Sequence, residues 1–159
     1  MANTDLIGAD LGEQTIPVET GKIREFARAL FDRSPELCDP DHPRGNLAPA
    51  IHTQITAFYD APPESYVDLG LDYAFVLHGE QEYEFVRPVR AGDTLTGHTK
   101  IADIYEKPGK RGGTMTFVVF ETHWRNQDGE ECTVARMTLV EAEAASLARK
   151  AQAEAEGAQ

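Results

Sequence analysis

The chain of 159 residues carries 27 acidic side chains against 15 lysines and arginines, a formal net charge of −12. A length in this range favours a single domain, and a composition of 41% hydrophobic and 26% charged residues excludes disorder throughout the chain. The acidity argues against nucleic acid and anionic membrane surfaces as main partners. No apolar run approaches the roughly 20 residues that cross a bilayer. Cys38 and Cys132 match no metal or redox spacing, so we expect a cytoplasmic protein without metal or cofactor.

The first half of the chain predicts two helices, because apolar residues recur there at helical spacing. Thr20 is a suitable N-cap for the first helix, and Pro49 is a good first-turn residue for the second. Between them, a proline-containing loop has a length that is uncommon unless it serves a function. In chain order we expect a loose lead-in over residues 1–13, a short strand over 14–19, a helix over 21–31, the loop over 32–46 and a buried helix over 49–59.

From residue 72 onward the pattern changes to strands. Tyr83 and Phe85 alternate with Glu82 and Glu84, as in a half-buried strand. Helices followed by an antiparallel meander make the predicted class α+β. The tail over 141–159 favours a helix but has no apolar face to bury, so the predicted domain ends at residue 140. The predicted strands are residues 73–78, 79–88, 94–105, 114–124 and 131–140.

Asp32, His42 and His52 bracket the irregular loop and the start of the second helix. A carboxylate and an imidazole brought together can move a proton between a carbon atom and a water molecule. Each residue also has an ordinary interpretation. Asp32 is also typical of a carboxylate at a turn or helix end. His52 is also typical of a core histidine that is hydrogen-bonded to a backbone carbonyl, and His42 of a solvated loop residue.

Four segments resemble a known family. Residues 83–95 resemble the strand–Pro–Val–x–x–Gly–Asp segment of MaoC-like (R)-specific enoyl-thioester hydratases and dehydratases. Residues 78–81 resemble the N-terminal-type dehydratase branch of that family, and residues 22–27 and 47–49 fit the same branch. The resemblance implies a hot-dog fold, in which an antiparallel sheet wraps a long central helix. It also implies a dimer with a second hot dog and an acyl-CoA or acyl carrier protein thioester as substrate.

The catalytic motif of the family is altered in this chain. Active members carry D-x-N-P-x-H after the first helix, and the Asp and His of that motif activate a water. Residues 32–37 read Asp-Arg-Ser-Pro-Glu-Leu. Asp32 therefore matches, whereas Ser34 replaces the Asn and Leu37 replaces the catalytic His.

A second family motif, P-x-V-H-G, corresponds to residues 49–53. His52 matches it, and Thr53 replaces the Gly while keeping a backbone N–H that could polarise the thioester carbonyl. The resemblance therefore implies Asp32 and His52 as candidate catalytic residues. Thr53, His78 and Gly79 become candidates for substrate binding.

Lys107, Lys110 and Arg111 gather three cations near a predicted hairpin tip of this acidic chain. Such a patch suits the phosphates of coenzyme A or of phosphopantetheine, although a solvated hairpin tip has the same composition.

Three functions are consistent with these residues. In the first, the chain is a subunit of a (3R)-hydroxyacyl-thioester dehydratase, and a partner hot dog supplies the catalytic His. In the second, it is a self-sufficient homodimeric hydratase that uses Asp32 with His52 or His42. In the third, it is an acyl-thioester-binding or thioesterase-like hot dog without dehydration chemistry.

Overall fold

The computed structural model describes residues 3–39, 41–58, 68–109 and 113–142. Five antiparallel strands form one sheet in the order β1-β3-β4-β5-β2, so β1 and β2 lie at the two edges. The strands are β1 (Asp10–Pro17), β2 (Val76–Phe85), β3 (Thr94–Pro108), β4 (Thr114–Arg125) and β5 (Glu131–Ala142). The helical elements are α1 (Thr20–Ala29), α2 (Pro35–Cys38) and the 3-10 helices Thr4–Leu6, His52–Phe58 and Tyr73–Phe75. The predicted α+β class is confirmed.

The helical elements pack against one face of the sheet. Ile23 of α1, Leu37 of α2 and Ile55 of the 3-10 helix share a core cluster with Leu95 of β3 and Trp124 of β4. Ile23 and Leu95 have no exposed surface, and burying a side chain of this size stabilises the fold by about 1.5–3 kcal/mol. The core therefore fixes the start of the 3-10 helix His52–Phe58 against the inner face of the sheet.

The edge strands begin and end differently from the prediction. Residues 1–13 were expected to be loose, but β1 begins at Asp10, and its register shifts between Asp10 and Glu13. Residues 73–88 were expected to form two strands, whereas one strand, β2, spans most of this range with a register shift between His78 and Glu80. An extra residue at each irregularity breaks the period-2 alternation, which explains both errors.

The helices also depart from the prediction. α1 begins at Thr20 itself, and Glu19 stands at its N-cap without a side-chain cap bond. The predicted loop contains the short helix α2. The second helix was expected to begin near Pro49, but its described part is the 3-10 helix His52–Phe58. β-Branched residues in this segment crowd an α-helical turn and disfavour it. Residues 59–67 lie outside the described part of the chain.

β5 continues to Ala142, two residues beyond the predicted end of the domain. The rest of the predicted tail, residues 143–159, lies outside the described residues. Among the helices that the structure describes, none has the length and apolar character to cross a membrane.

Candidate functional site

A cleft of about 450 Å³ lies between the end of α1, helix α2 and the segment that precedes the 3-10 helix His52–Phe58. We call it the Asp32 cleft. The segment before the 3-10 helix is held by backbone hydrogen bonds from Leu47 N–H to the Glu36 carbonyl at 3.2 Å and from Ala48 N–H to the Val89 carbonyl at 2.8 Å. Its walls include Asp32, Ser34, Leu37, Arg44, Pro49 and Ile51.

The Asp32 carboxylate is held in one orientation at the mouth of this cleft. It accepts the Ser34 backbone N–H at 2.8 Å. The backbone and side-chain hydrogen bonds from Ser34 lower the pKa of Asp32 below its ordinary value of 3.8. Asp32 is therefore a carboxylate at neutral pH, and Ser34 orients it. A carboxylate in this state can position a water or an imidazole but is a weak proton acceptor by itself.

Leu37 borders the same cleft as Asp32. Its side chain is 9% exposed and packs into the core cluster with Ala48 and Ile55. An isobutyl group neither donates nor accepts a proton. His42 does not line this cleft, and its Nδ1 accepts the Arg44 backbone N–H at 3.2 Å. Among the described residues that line it, the Asp32 cleft thus contains two carboxylates, Asp32 and Glu36, the second paired with Arg44, but no imidazole.

His52 is buried, with 2% of its surface exposed, and is not among the residues that line the Asp32 cleft. Its ring lies 6.4 Å from the ring of Phe26, centroid to centroid. Neither ring nitrogen has a hydrogen-bond partner among the residues that the structure describes. Burial lowers the pKa of His52 below 6.5, so the ring is neutral at pH 7. The structure brings Asp32 and Leu37 to one cleft but does not bring His52 into it.

Thr53 lies on a different cleft, between the 3-10 helix His52–Phe58 and the inner face of the sheet. This cleft has a volume of about 200 Å³ and is partly polar, since Thr99 and Thr122 line it with hydroxyls 2.9 Å apart. Next to it, Gln54 Nε2 donates to the Tyr83 hydroxyl at 2.6 Å. Burial raises the pKa of Tyr83 despite hydrogen bonds with Gln54 and Thr53. Sequence reasoning missed this group, because only the packed structure brings β2 beside the 3-10 helix.

His78 and Gly79 lie on the edge strand β2, where both are exposed. Gly79 is required by packing, because a Cβ atom there would come within 2.4 Å of Val140 Cγ2. The substrate-binding roles of both residues stay predictions.

Lys107 lies near the end of β3, with its Nζ atom 4.8 Å from the ring centre of Tyr105 and 5.2 Å from that of Phe117. The ammonium group thus makes cation–π contacts with two aromatic rings. Lys110 and Arg111 lie outside the described residues, so the predicted phosphate patch stays a prediction. The described residues form no group of three or more His, Cys, Asp or Glu side chains that could hold a metal ion.

The fold is shared with solved structures of hydratases and dehydratases. One chain of the C-terminally truncated HadBC (3R-hydroxyacyl-ACP dehydratase) complex from Mycobacterium tuberculosis is 27% identical, with a TM-score of 0.70 over 86% of this chain and 98% of that chain. The MaoC-like dehydratase from Rhodospirillum rubrum is 24% identical, with a TM-score of 0.60 over 89% of this chain and 96% of that one. The sheet order and these similarities define a domain of the hot-dog class.

Within that class, the family model described as "FAS1-like, dehydratase domain region" matches residues 5–135, and the chain belongs to this family. A UPF0336 protein from Saccharopolyspora erythraea is 35% identical over 126 residues, which cover 75% of this chain and 77% of that protein. A UPF0336 protein from Streptomyces avermitilis is 37% identical over 134 residues, covering 79% and 86% respectively. The resemblance found in the sequence is confirmed.

Proposed function

We propose that this chain is a subunit of a (3R)-hydroxyacyl-thioester dehydratase, or (R)-specific enoyl hydratase, whose catalytic His belongs to a second hot-dog subunit. The substrate is an acyl thioester of coenzyme A or of acyl carrier protein. One observation carries the proposal. The Asp32 cleft presents an oriented carboxylate beside Leu37, where the family motif has its His. Hydration of an enoyl thioester needs a proton donor and acceptor, and a carboxylate with a lowered pKa does not supply both.

The edge strand β2 supports a hot-dog partner. Leu77 and Phe85 on this strand are 69% and 56% exposed, and Val86, which follows it, is 55% exposed. β2 is an edge strand, so one side of its backbone has no strand partner within the described sheet and is available for pairing with another sheet. The structural neighbour HadBC is itself named as a complex of two components. A hetero-oligomer would place a complete catalytic motif beside this chain.

A cytoplasmic location fits the cysteines, since both Cys38 and Cys132 are free thiols.

The test measures the loss of enoyl-thioester absorbance as crotonyl-CoA is hydrated. Three samples are compared: the chain alone, a second hot-dog subunit with an intact D-x-N-P-x-H motif, and the two co-expressed. Without the His, the chain alone should run about 10²- to 10⁴-fold below an ordinary turnover of roughly 10 per second. The co-expressed complex should exceed the second subunit alone.

Two results would contradict this proposal. Ordinary turnover by the chain alone would show a self-sufficient hydratase. Release of free coenzyme A thiol without hydration, followed with a thiol reagent, would show a thioesterase-like activity instead.

A further inference from the structure

Three arginines surround a second cleft at the end of α1. Arg24 and Arg28 are one helical turn apart on α1, and Arg33 follows the helix. Together with Phe31, Asp32 and Cys38 they line a cleft of about 360 Å³, which we call the arginine cleft. Like charges at this helical spacing destabilise a helix by a few tenths of a kcal/mol. Arg28 lies in the last turn of α1, where a cation favours the helix dipole, so the two effects on helix stability are of similar size and opposite sign.

The arginines of this cleft are not neutralised within the described structure. Arg24, Arg28 and Arg33 are all exposed, and none makes an ion pair or side-chain hydrogen bond with a residue that the structure describes. This is unusual in a chain with 27 acidic residues and a net charge of −12. Three guanidinium groups and one carboxylate line the cavity, a charge balance that favours an anion with several negative charges as the ligand.

Phe31 is exposed at a cost to the fold. Its ring is 90% exposed, and its φ angle is +58°, in the left-handed region. A bulky residue in this conformation costs about 1–2 kcal/mol relative to glycine, which commonly occupies the end of a helix. The backbone there is held by the Asp32 N–H, which donates to the Ala27 carbonyl at 2.9 Å. A strained backbone that holds an aromatic ring in solvent beside three cations indicates a stacking surface.

We propose that the arginine cleft binds the 3′-phospho-ADP part of coenzyme A, with the phosphates on Arg24, Arg28 and Arg33 and the adenine on Phe31. This inference rests on the proposed function, since it names the thioester carrier. Asp32 lines both the arginine cleft and the Asp32 cleft, so the two clefts meet at this residue. A thioester in the Asp32 cleft thus extends its carrier towards the three arginines.

The shape of the cleft favours a nucleotide over an acidic protein. The site is a cavity around one aromatic ring, whereas an acidic helix of a carrier protein needs a broad basic surface. The Asp32 carboxylate in the same cleft can accept a hydrogen bond from an adenine amino group or a ribose hydroxyl.

The test is isothermal titration calorimetry of the full chain with coenzyme A, dephospho-coenzyme A and 4′-phosphopantetheine. Coenzyme A should bind about tenfold more tightly than dephospho-coenzyme A and more tightly still than phosphopantetheine, as loss of one charged hydrogen bond predicts. Arg28→Gln and Arg33→Gln should each weaken coenzyme A binding about tenfold. Arg125→Gln, on the other face of the sheet, is the matched control and should leave binding unchanged.

Phe31 supplies a second set of variants. Phe31→Ala should weaken coenzyme A binding about tenfold, as loss of base stacking predicts, while Phe31→Tyr should retain it. Thermal melts should show that Phe31→Ala is folded. Equal affinities for coenzyme A and phosphopantetheine, or unchanged affinity in every arginine variant, would overturn the inference. So would a holo-acyl carrier protein whose binding needs these arginines while coenzyme A binding does not.

Truncated substrate separates this inference from the proposed function. Crotonyl-pantetheine has no nucleotide, so in the two-subunit complex Arg28→Gln should raise the KM for crotonyl-CoA about tenfold and leave that for crotonyl-pantetheine unchanged. Equal rises for both substrates would overturn the inference and leave the proposed function intact. A complex that hydrates neither substrate, but in which this chain binds coenzyme A through the arginines, would overturn the proposed function alone.

Discussion

Charged side chains cross the outer face of the sheet as a continuous row of ion pairs, whereas at the end of α1 the arginines lack such partners. On the sheet, Glu121 of β4 lies 2.9 Å from Lys100 of β3 and 2.8 Å from Arg136 of β5. Arg136 reaches Glu82 of β2 at 3.3 Å, which extends the row across four strands. Directly opposed strand positions bring these groups together. Here the sequence of charges matches the register of the sheet.

In the arginine cleft, Arg24, Arg28 and Arg33 stand near one another and no described acidic group pairs with them. The comparison shows two roles for charged side chains in one small domain. Charges that are paired within the fold stabilise it, and charges left unpaired around a cavity are available to a ligand.

Glu121 should make the largest contribution to stability. Its side chain is 13% exposed and contacts two cations, so Glu121→Gln leaves both without their shared partner. The free energy of unfolding should fall by about 2 kcal/mol, as measured by urea denaturation at pH 7. Glu106→Gln, an exposed position on β3, is the matched control and should change stability by less than about 0.5 kcal/mol. Equal losses of stability at Glu121 and Glu106 would contradict the view that the ion pairs on the sheet stabilise the fold.

Acid should remove the Glu121 contribution. The hydrogen bond from Lys100, with those from His123 and Arg136, lowers the pKa of Glu121 from 4.5 to about 2. A lowered pKa in the folded state stabilises the fold above the ordinary value and loses this effect as the pH falls towards 2. The stability gap between the wild-type chain and Glu121→Gln should therefore be complete at pH 6 and smaller at pH 3. A gap that stays constant over this range would contradict the assignment.

His123 should show the opposite and smaller pH dependence. Its ring contacts Glu131 at 2.8 Å and Glu121 at 3.1 Å, and these hydrogen bonds raise its pKa above 6.5. A raised pKa stabilises the fold at low pH, and the effect is lost as the pH rises through the folded-state pKa. His123→Gln should cost about 0.5 kcal/mol at pH 6 and less at pH 9, by urea denaturation. If His123→Gln lowered the free energy of unfolding more at pH 9 than at pH 6, the assignment of a raised pKa to His123 would be refuted.

Arg33 should have the smallest effect on stability. It lacks an ion pair with the described residues, so Arg33→Gln should change the free energy of unfolding by less than about 0.5 kcal/mol. If Arg33→Gln lowered the free energy of unfolding by about 2 kcal/mol, Arg33 would be stabilising the fold and would not be a free charge available to a ligand.

Strands β3, β4 and β5 were predictable because each is at least 12 residues long, so the β pattern persists on either side of register shifts such as that between Ile101 and Asp103. β1 has only 8 residues, and the shift between Asp10 and Glu13 breaks its pattern near the start. The family motif located Asp32 and Leu37, which do share a cleft. The arginine cleft was missed, because it depends on the left-handed backbone at Phe31, and a phenylalanine in the sequence does not predict that conformation.

The site prediction that pairs Asp32 with His52 depends on tertiary distance, which no local pattern encodes. The structure buries His52 beside Phe26 and leaves Asp32 exposed in its own cleft. A motif of consecutive residues can therefore predict one wall of a site but not the residue that faces it.

An imidazole restored beside Asp32 should restore proton transfer in the Asp32 cleft. The measurement is hydration of crotonyl-CoA by the purified Leu37→His chain, with Leu37→Gln as the matched control for the polar substitution. Leu37→His should hydrate roughly 10²-fold faster than both the wild-type chain and Leu37→Gln. Asp32→Asn added to Leu37→His should abolish that gain. A Leu37→His chain that melts as a folded protein, yet hydrates no faster than Leu37→Gln, would show that the Asp32 cleft is not a catalytic site of this kind.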